Sequence, residues 1–293
     1  MIISFGFDIA LRFEAETAVL FCLMVHPSRS RDLISGEDFS IEPKCFFDEY
    51  LDAYGNRCGR VRCGPGVIRF INRGLIRDSG ELDPSVPEAR QDEIVKLPHD
   101  ALVHLLPSRY CESDSELANF AWERFGATQP GWARVQAICD FVHHHVEFDY
   151  MKASATRTAL ETFRERVGVC RDFTHLAITF CRCMNMPARY VTGYLGDIGV
   201  PPAPYPMDFS AWMEVYLGGQ WFSFDPRHNC RRIGRIVMAR GRDASDVALT
   251  VVFGKHTLES FSVTTEEASE DLAFQAPAGK KLSEEKKQIA AAP

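Results

Sequence analysis

The sequence predicts an α+β protein: a β-rich domain first, then a domain mixing helices with an antiparallel sheet. Three observations carry this. Short alternating apolar runs separated by turn residues fill residues 2–75, apolar spacing changes to the helical period near residue 115, and three strand-like runs come after the longest helix. At 293 residues the chain is long enough for two ordinary domains. The expected division is 1–95 for the β-rich domain, 96–114 for a linker, 115–265 for the mixed domain and 266–293 for a flexible C-terminal tail.

Composition sets the outer bounds. Apolar residues make up 46% of the chain and charged residues 25%, the usage of a globular protein. Thirty-three Lys and Arg against forty Asp and Glu give a net charge of −7, with no basic block. That balance argues against nucleic acid or an anionic membrane as partner. The opening "MIISFGFDIALRF" has no basic segment leading into an apolar run, and "AVLFCLMV" and "HLAITF" are too short to span a bilayer. A cytoplasmic location is the expectation. Ten cysteines are scattered without a CxxC pair, so most read as small buried hydrophobes and not as disulfide or zinc frameworks.

In the first third, "ALRFEAE", "AVLFCLMV", "CFFDEYLD" and "GVIRFINRG" read as strands, with a hairpin at Tyr54-Gly55-Asn56 because Gly and Asn tolerate the positive φ of tight turns. Residues 78–113 are rich in Pro, Asp and Ser and read as a linker that wraps onto the mixed domain. "SDSELANFAWERF" and "GWARVQAICDFVHHHVEF" carry apolar residues at helical spacing. Consecutive His143, His144 and His145 point in three directions on a helix, so the dipole at a helix C-terminus explains them better than a metal does. "RTALETFRERVG" is a further short helix capped near Thr158 and ended by Gly168. Then Cys170, Phe173, Leu176, Ala177, Phe180 and Met184 form one apolar stripe, stopped by Pro187. "ARYVTGYLG", "SAWMEVYLGG" and "QWFSFDPRHN" are strands, the last two joined through Gly218-Gly219.

Cys170 stands at the first turn of its helix, where free amides and the positive dipole end favour a thiolate and can oppose a developing oxyanion. Alone, such a cysteine is better explained as the first residue of the core stripe. The run from 158 to 229, with "GVCRDFTHL", "SAWMEVYL" and "FDP", resembles the transglutaminase-like superfamily of papain-like cysteine enzymes. More narrowly, it looks like the bacterial two-domain members described as cysteine proteases, whose N-terminal β domain the first part also resembles.

The resemblance implies a papain-like core, a Cys170 nucleophile attacking an amide carbonyl, and Asp225 as the carboxylate that orients the base. It implies no cofactor, and peptide or protein amides as substrate. It departs at the base, where Ser210 stands in the histidine position. Three explanations compete: His228, three residues past Asp225, supplies the imidazole; the cleft binds peptides without reacting; or the serine was placed by design to trap substrate. His175 points some 140° away from Cys170 on the helix and is the weaker imidazole. Asp208 is another residue able to stand in for the base, with a strand-entry turn as its plainer place. Tyr150 and Trp212 are the remaining cleft candidates, although core packing suits both. Asp172 complements the dipole, and the Pro-rich 195–208 borders the cleft. Hydrolysis is expected over transamidation, since nothing marks a lysine-binding tunnel. No Asp/Asn-rich loop has calcium spacing, and no metal is expected.

Overall fold

The computed structural model describes residues 1–269 of the protein. Apart from short 3-10 turns at Pro27–Arg29 and Ile94–Lys96, the first third is strand: β1 (Ile2–Phe13), β2 (Thr17–Phe21), β3 (Leu33–Glu37), β4 (Ser40–Glu42), β5 (Phe47–Leu51), β6 (Arg57–Cys63) and β7 (Gly66–Arg77). The expected turn joins β5 to β6, with Gly55 at φ 78° and the Asp52 carboxylate accepting from the Tyr54 and Asn56 amides. Helices and short strands come next: α1 (His99–Leu102), α2 (Leu117–Phe125), α3 (Trp132–His145), β8 (Glu147–Phe148), α4 (Ala159–Glu165), β9 (Val167–Gly168) and α5 (Cys170–Cys183). The chain closes with β10 (Ala188–Tyr194), β11 (Ser210–Leu217), β12 (Gln220–Phe224), β13 (Ile236–Gly241), β14 (Thr250–Val252) and β15 (His256–Ala268).

Two antiparallel sheets, β15-β1-β7-β3 with β4 also on β7, and β14-β2-β6-β5, make the β-rich layer pair. The last two strands are therefore not part of the mixed domain. β14 pairs with β2, and β15 pairs with β1 from Ile2↔Ala268 to Phe13↔His256. The boundary expected at 265/266 falls inside β15, because an apolar edge of β1 needs a partner along its whole length. The remainder of the expected tail, 270–293, lies outside the described residues.

The mixed part is a four-stranded antiparallel sheet, β12-β11-β10-β13, with α5 laid on it and α2, α3 and α4 around α5. α5 begins and ends near where its apolar spacing predicts, but it is not amphipathic in its setting. Every residue from Asp172 to Cys183 is buried, because helices cover the face that a stripe would leave wet. α4 ends earlier than Gly168: Arg166 takes the left-handed conformation at φ 58° and stops it. The Gly218-Gly219 turn joins β11 to β12 with φ 57° and 87°, values that fit a two-residue primed hairpin turn. Residues 78–98 do wrap onto the mixed part, since the Ala89 carbonyl accepts from the Trp132 amide and the Arg90 carbonyl from that of Gly218.

The two parts share a core. Tyr194, Ile198, Phe209, Ile236 and Met238 of the mixed part pack among Phe5, Phe7, Ile9 and Phe70 of the β layers. The rings of Phe5 and Tyr194 lie 5.0 Å apart, and those of Phe7 and Phe209 5.6 Å. A fragment of residues 115–265 would expose these side chains. It is expected to bind an environment-sensitive dye such as ANS and to lack a cooperative thermal transition, and a sharp calorimetric transition for that fragment would contradict the shared core.

Candidate active site

Cys170 occupies the first position of α5, and the side chains around it account for the helix starting there. Val169 is extended, and its amide donates to the Asp172 carboxylate at 2.9 Å. Arg157 donates to the same oxygen at 3.2 Å. The carboxylate leaves no room for a side chain at residue 168, where a Cβ would sit 2.6 Å from Asp172 Oδ2, so glycine is required. Asp172 lies in the first turn, where its charge complements the dipole as its sequence position predicts, and the structure adds a capping hydrogen bond. The first-turn amides of Cys170 and Arg171 have no intrahelical acceptor.

The thiol itself departs from the helix-start expectation. Burial pushes it up to about 11, the Arg227 charge pulls it down, the Asp208 carboxylate pushes it up, and the Ala211 amide pulls it down. Desolvation of a charged sulfur outweighs the dipole here, so the free protein holds Cys170 mainly as the thiol.

Asp225 comes directly after β12 and is buried. Its carboxylate accepts from the His228 amide at 3.0 Å, from His228 Nδ1 at 2.9 Å and from Arg235 at 3.1 Å. Burial works against its ionisation, but the His228 hydrogen bond and the Arg235 charge hold the carboxyl well below the usual range. Arg235 in turn pairs with Asp83 from the wrapping segment at 2.9 Å and lies over the Trp212 ring at 4.9 Å. A tight turn brings His228 back: the Asn229 amide donates to the Asp225 carbonyl, and Asn229 is left-handed at φ 49°. With Nδ1–H given to Asp225, His228 Nε2 is the acceptor, and Arg227 donates to it at 3.2 Å.

The other candidates scatter. Ser210 opens β11 opposite Gly193, buried, with a hydroxyl that has no hydrogen-bond partner. Among the described residues no imidazole is hydrogen-bonded to Cys170. Trp212 is fully buried against Val191 and Val237 and does not line a cleft; the flat ring is consumed in supporting Arg235. Tyr150, by contrast, is 37% exposed, and its hydroxyl donates to Asp208 at 3.5 Å. Burial and the nearby Asp208 and Cys170 charges push Tyr150 upward, so it stays a phenol. Asp208 is held above the ordinary carboxylate range by burial, despite the Phe209 amide, Tyr150 and Arg227.

His175 is interior: its Nε2 accepts from the Ala244 amide at 3.1 Å, it stacks on Tyr110 with the Tyr190 ring tilted against it, and burial lowers it to about 3. His143, His144 and His145 diverge onto the carbonyls of Arg227, Asp140 and Phe163. Among the described residues no group of three or more His, Cys, Asp or Glu is arranged to hold a metal ion.

The helix-start cysteine, the buried Asp225 carboxylate and the flanking antiparallel strands β10 to β12 all lie in a stretch that matches known proteins. Residues 121–226 match the transglutaminase-like superfamily. The chain carries a transglutaminase-like domain. That domain match encloses Cys170, Ser210 and Asp225 and ends just before Arg227 and His228.

The crystal structure of a "Putative Cysteine Protease" from Cytophaga hutchinsonii is similar over 91% of this chain and 90% of that one, with 29% identity and a TM-score of 0.79. Its extent places the β layers together with the transglutaminase-like domain in one recurring architecture. An uncharacterized protein of Mycobacterium leprae is 33% identical over 94 residues, which is 31% of this chain and 33% of that protein. One of Mycobacterium tuberculosis strain H37Rv is 33% identical over 114 residues, 35% of this chain and 36% of that protein. The chain thus spans about a third of the length of these curated relatives. No helix among the described residues is long and apolar enough to cross a membrane.

Sequence reasoning alone misses Arg227, Arg235 and Asp83. Arg227 is within sight of it, since "DPRHN" puts a cation between the two residues singled out as carboxylate and base. Asp83 and Arg235 carry no such signal, being 152 residues apart.

Iodoacetamide labelling of Cys170, followed by peptide mass spectrometry, is expected to rise in rate between pH 9 and about 11, and at lower pH in Asp208→Asn, which removes a negative neighbour; a rise centred near the free-thiol value of about 8.5 in the unaltered protein contradicts this. Arg235→Met leaves the Asp225 carboxylate buried with one cation fewer and is expected to lower stability by about 3 kcal/mol in urea unfolding; a loss under about 1 kcal/mol would mean that His228 alone suffices.

Proposed function

We propose that the protein is a thiol-dependent acyl-transfer enzyme acting on peptide or side-chain amides, with Cys170 as nucleophile, His228 as base and Asp225 as its orienting carboxylate. The observation that carries this reading is the 2.9 Å bond from His228 Nδ1 to Asp225, which fixes the tautomer whose Nε2 accepts a proton. With a thiol that titrates only toward about 11, the reaction needs a base at the moment of attack.

During attack the Cys170 proton passes to His228 Nε2 as sulfur bonds to the amide carbon. The first-turn amides of α5 oppose the oxyanion, Tyr150 lines the same space, and His228 returns the proton to the leaving amine as the C–N bond breaks. Water then attacks the thioester, giving its proton to His228, and the acid and free thiol result. Water is the preferred acceptor, which makes the protein an amide hydrolase of the cysteine-protease kind. A set of cysteines that are all free suits a reducing compartment, and we assign the protein to the cytoplasm.

A second reading, a peptide-binding cleft without turnover, is favoured by the raised Cys170 thiol and by the unpartnered Ser210 hydroxyl at the family's histidine position. An activated amide separates the two. The hydrolase is expected to release amine and to accumulate an acyl-enzyme of the corresponding mass, with Cys170→Ala abolishing both and His228→Gln lowering turnover by roughly a hundredfold or more. No turnover and no acyl-enzyme in the unaltered protein, with both gained in Ser210→His, would make the binding cleft the correct reading.

A further inference from the structure

Arg227 is not among the site's ion-paired arginines. Among the described residues Arg171, next to Cys170, also lacks a carboxylate partner, but its donors go to the Ser154 and Arg157 carbonyls. Arg235 pairs with Asp225 and Asp83, Arg157 with Asp172 and Glu165, and Arg189 and Arg240 with Glu214. Among the described residues no carboxylate lies within 4.0 Å of the Arg227 guanidinium. Its donors meet neutral groups only, the Tyr205 hydroxyl and His228 Nε2. The guanidinium lies 3.9 Å from the centroid of the Phe148 ring and 5.5 Å from that of Tyr205, so part of its hydration is already gone. Asp208 feels its charge through space, but burial keeps that carboxyl above the ordinary range. A half-dry guanidinium with most of its five donors free suits a planar carboxylate, which it can grip with two parallel hydrogen bonds.

Position gives that grip a meaning. Arg227 bonds His228 Nε2 and the hydroxyl of Tyr205, whose ring lies 5.2 Å from that of Tyr150, so an anion held there sits against the groups assigned to the site, and the Arg227 charge lowers the Cys170 thiol as well. Its backbone is fixed, because His143 Nδ1 donates to the Arg227 carbonyl at 2.8 Å. The side chain is held only by neutral partners and is therefore the cheaper part to move. It also occupies the nitrogen that the reaction needs. We propose that Arg227 is a specificity-determining residue that binds a carboxylate on the acyl side of the scissile amide and, in doing so, leaves His228 Nε2 free to accept the Cys170 proton.

This rests on the assignment of Cys170 and His228 above, and the test separates the two. Acetyl-Ala-Glu and acetyl-Ala-Gln amides of 7-amino-4-methylcoumarin differ by one charge. The unaltered protein is expected to favour the Glu amide by about tenfold or more in kcat/KM. That ratio should fall to about one in Arg227→Met and persist in Arg227→Lys. A ratio near one in the unaltered protein, or an equal loss on both amides in Arg227→Met, overturns the proposal. Should neither amide be turned over, protection of Cys170 against iodoacetamide decides. N-acetylglutamate protecting where N-acetylglutamine does not, and only while Arg227 is present, supports the anion site and counts against the hydrolase alone; equal or absent protection overturns the anion site.

Discussion

The charge on Asp225 is the constraint around which the site is organised. A carboxylate withdrawn from water is costly, and it persists only where cations and N–H donors replace the water that it lost. Here Arg235 and two hydrogen bonds from His228 do so, and Arg235 needs Asp83 to balance its own charge and the Trp212 ring to rest on. One buried charge thereby ties together β12, the turn after it, the strand that carries Trp212 and the segment that wraps in from the β layers. Orientation of the His228 ring is a by-product of solving this electrostatic problem.

The cysteine illustrates two opposed effects of unequal size. A helix start offers a thiolate partial positive charge from a few amides, an effect that fades within one turn. Burial withdraws solvation from the whole anion, and the nearby Asp208 adds repulsion. A resting thiol also resists adventitious oxidation, since the thiolate is the form that peroxides and disulfides attack. On the proposed function, reactivity belongs to the complex with substrate and not to the free protein.

Much of this is legible in the chain. The apolar spacing of α5, the Thr158 cap of α4 and the Gly218-Gly219 turn are local signals, and local signals survive in one sequence. The helix start at Cys170 is a local signal too, whereas the roles given to Cys170 and Asp225 come from the resemblance of "GVCRDFTHL" and "FDP" and from no local signal. What escapes depends on residues far apart in the chain. The pairing of β15 with β1 joins positions roughly 240 to 270 apart, and no periodicity announces it. Trp212 and Tyr150 are alike as aromatic candidates, and only packing puts one under Arg235 and leaves the other partly open. His228 is found from its distance to Asp225, whereas its occupation by Arg227 is a matter of side-chain direction that spacing alone does not fix.

The long pairing of β1 with β15 has a further consequence, for synthesis. As the chain leaves the ribosome, the twelve residues of β1 can meet β7 as soon as residue 77 emerges. Their outer edge then stays open until some 190 further residues have been made. At about 5–20 residues per second that interval lasts roughly 10–40 s, long compared with the microseconds in which a hairpin forms. Throughout it an apolar strand edge is available to any other chain. A nascent-chain chaperone shielding that edge would act on β1, long before β15, the strand that finally relieves it, has been made.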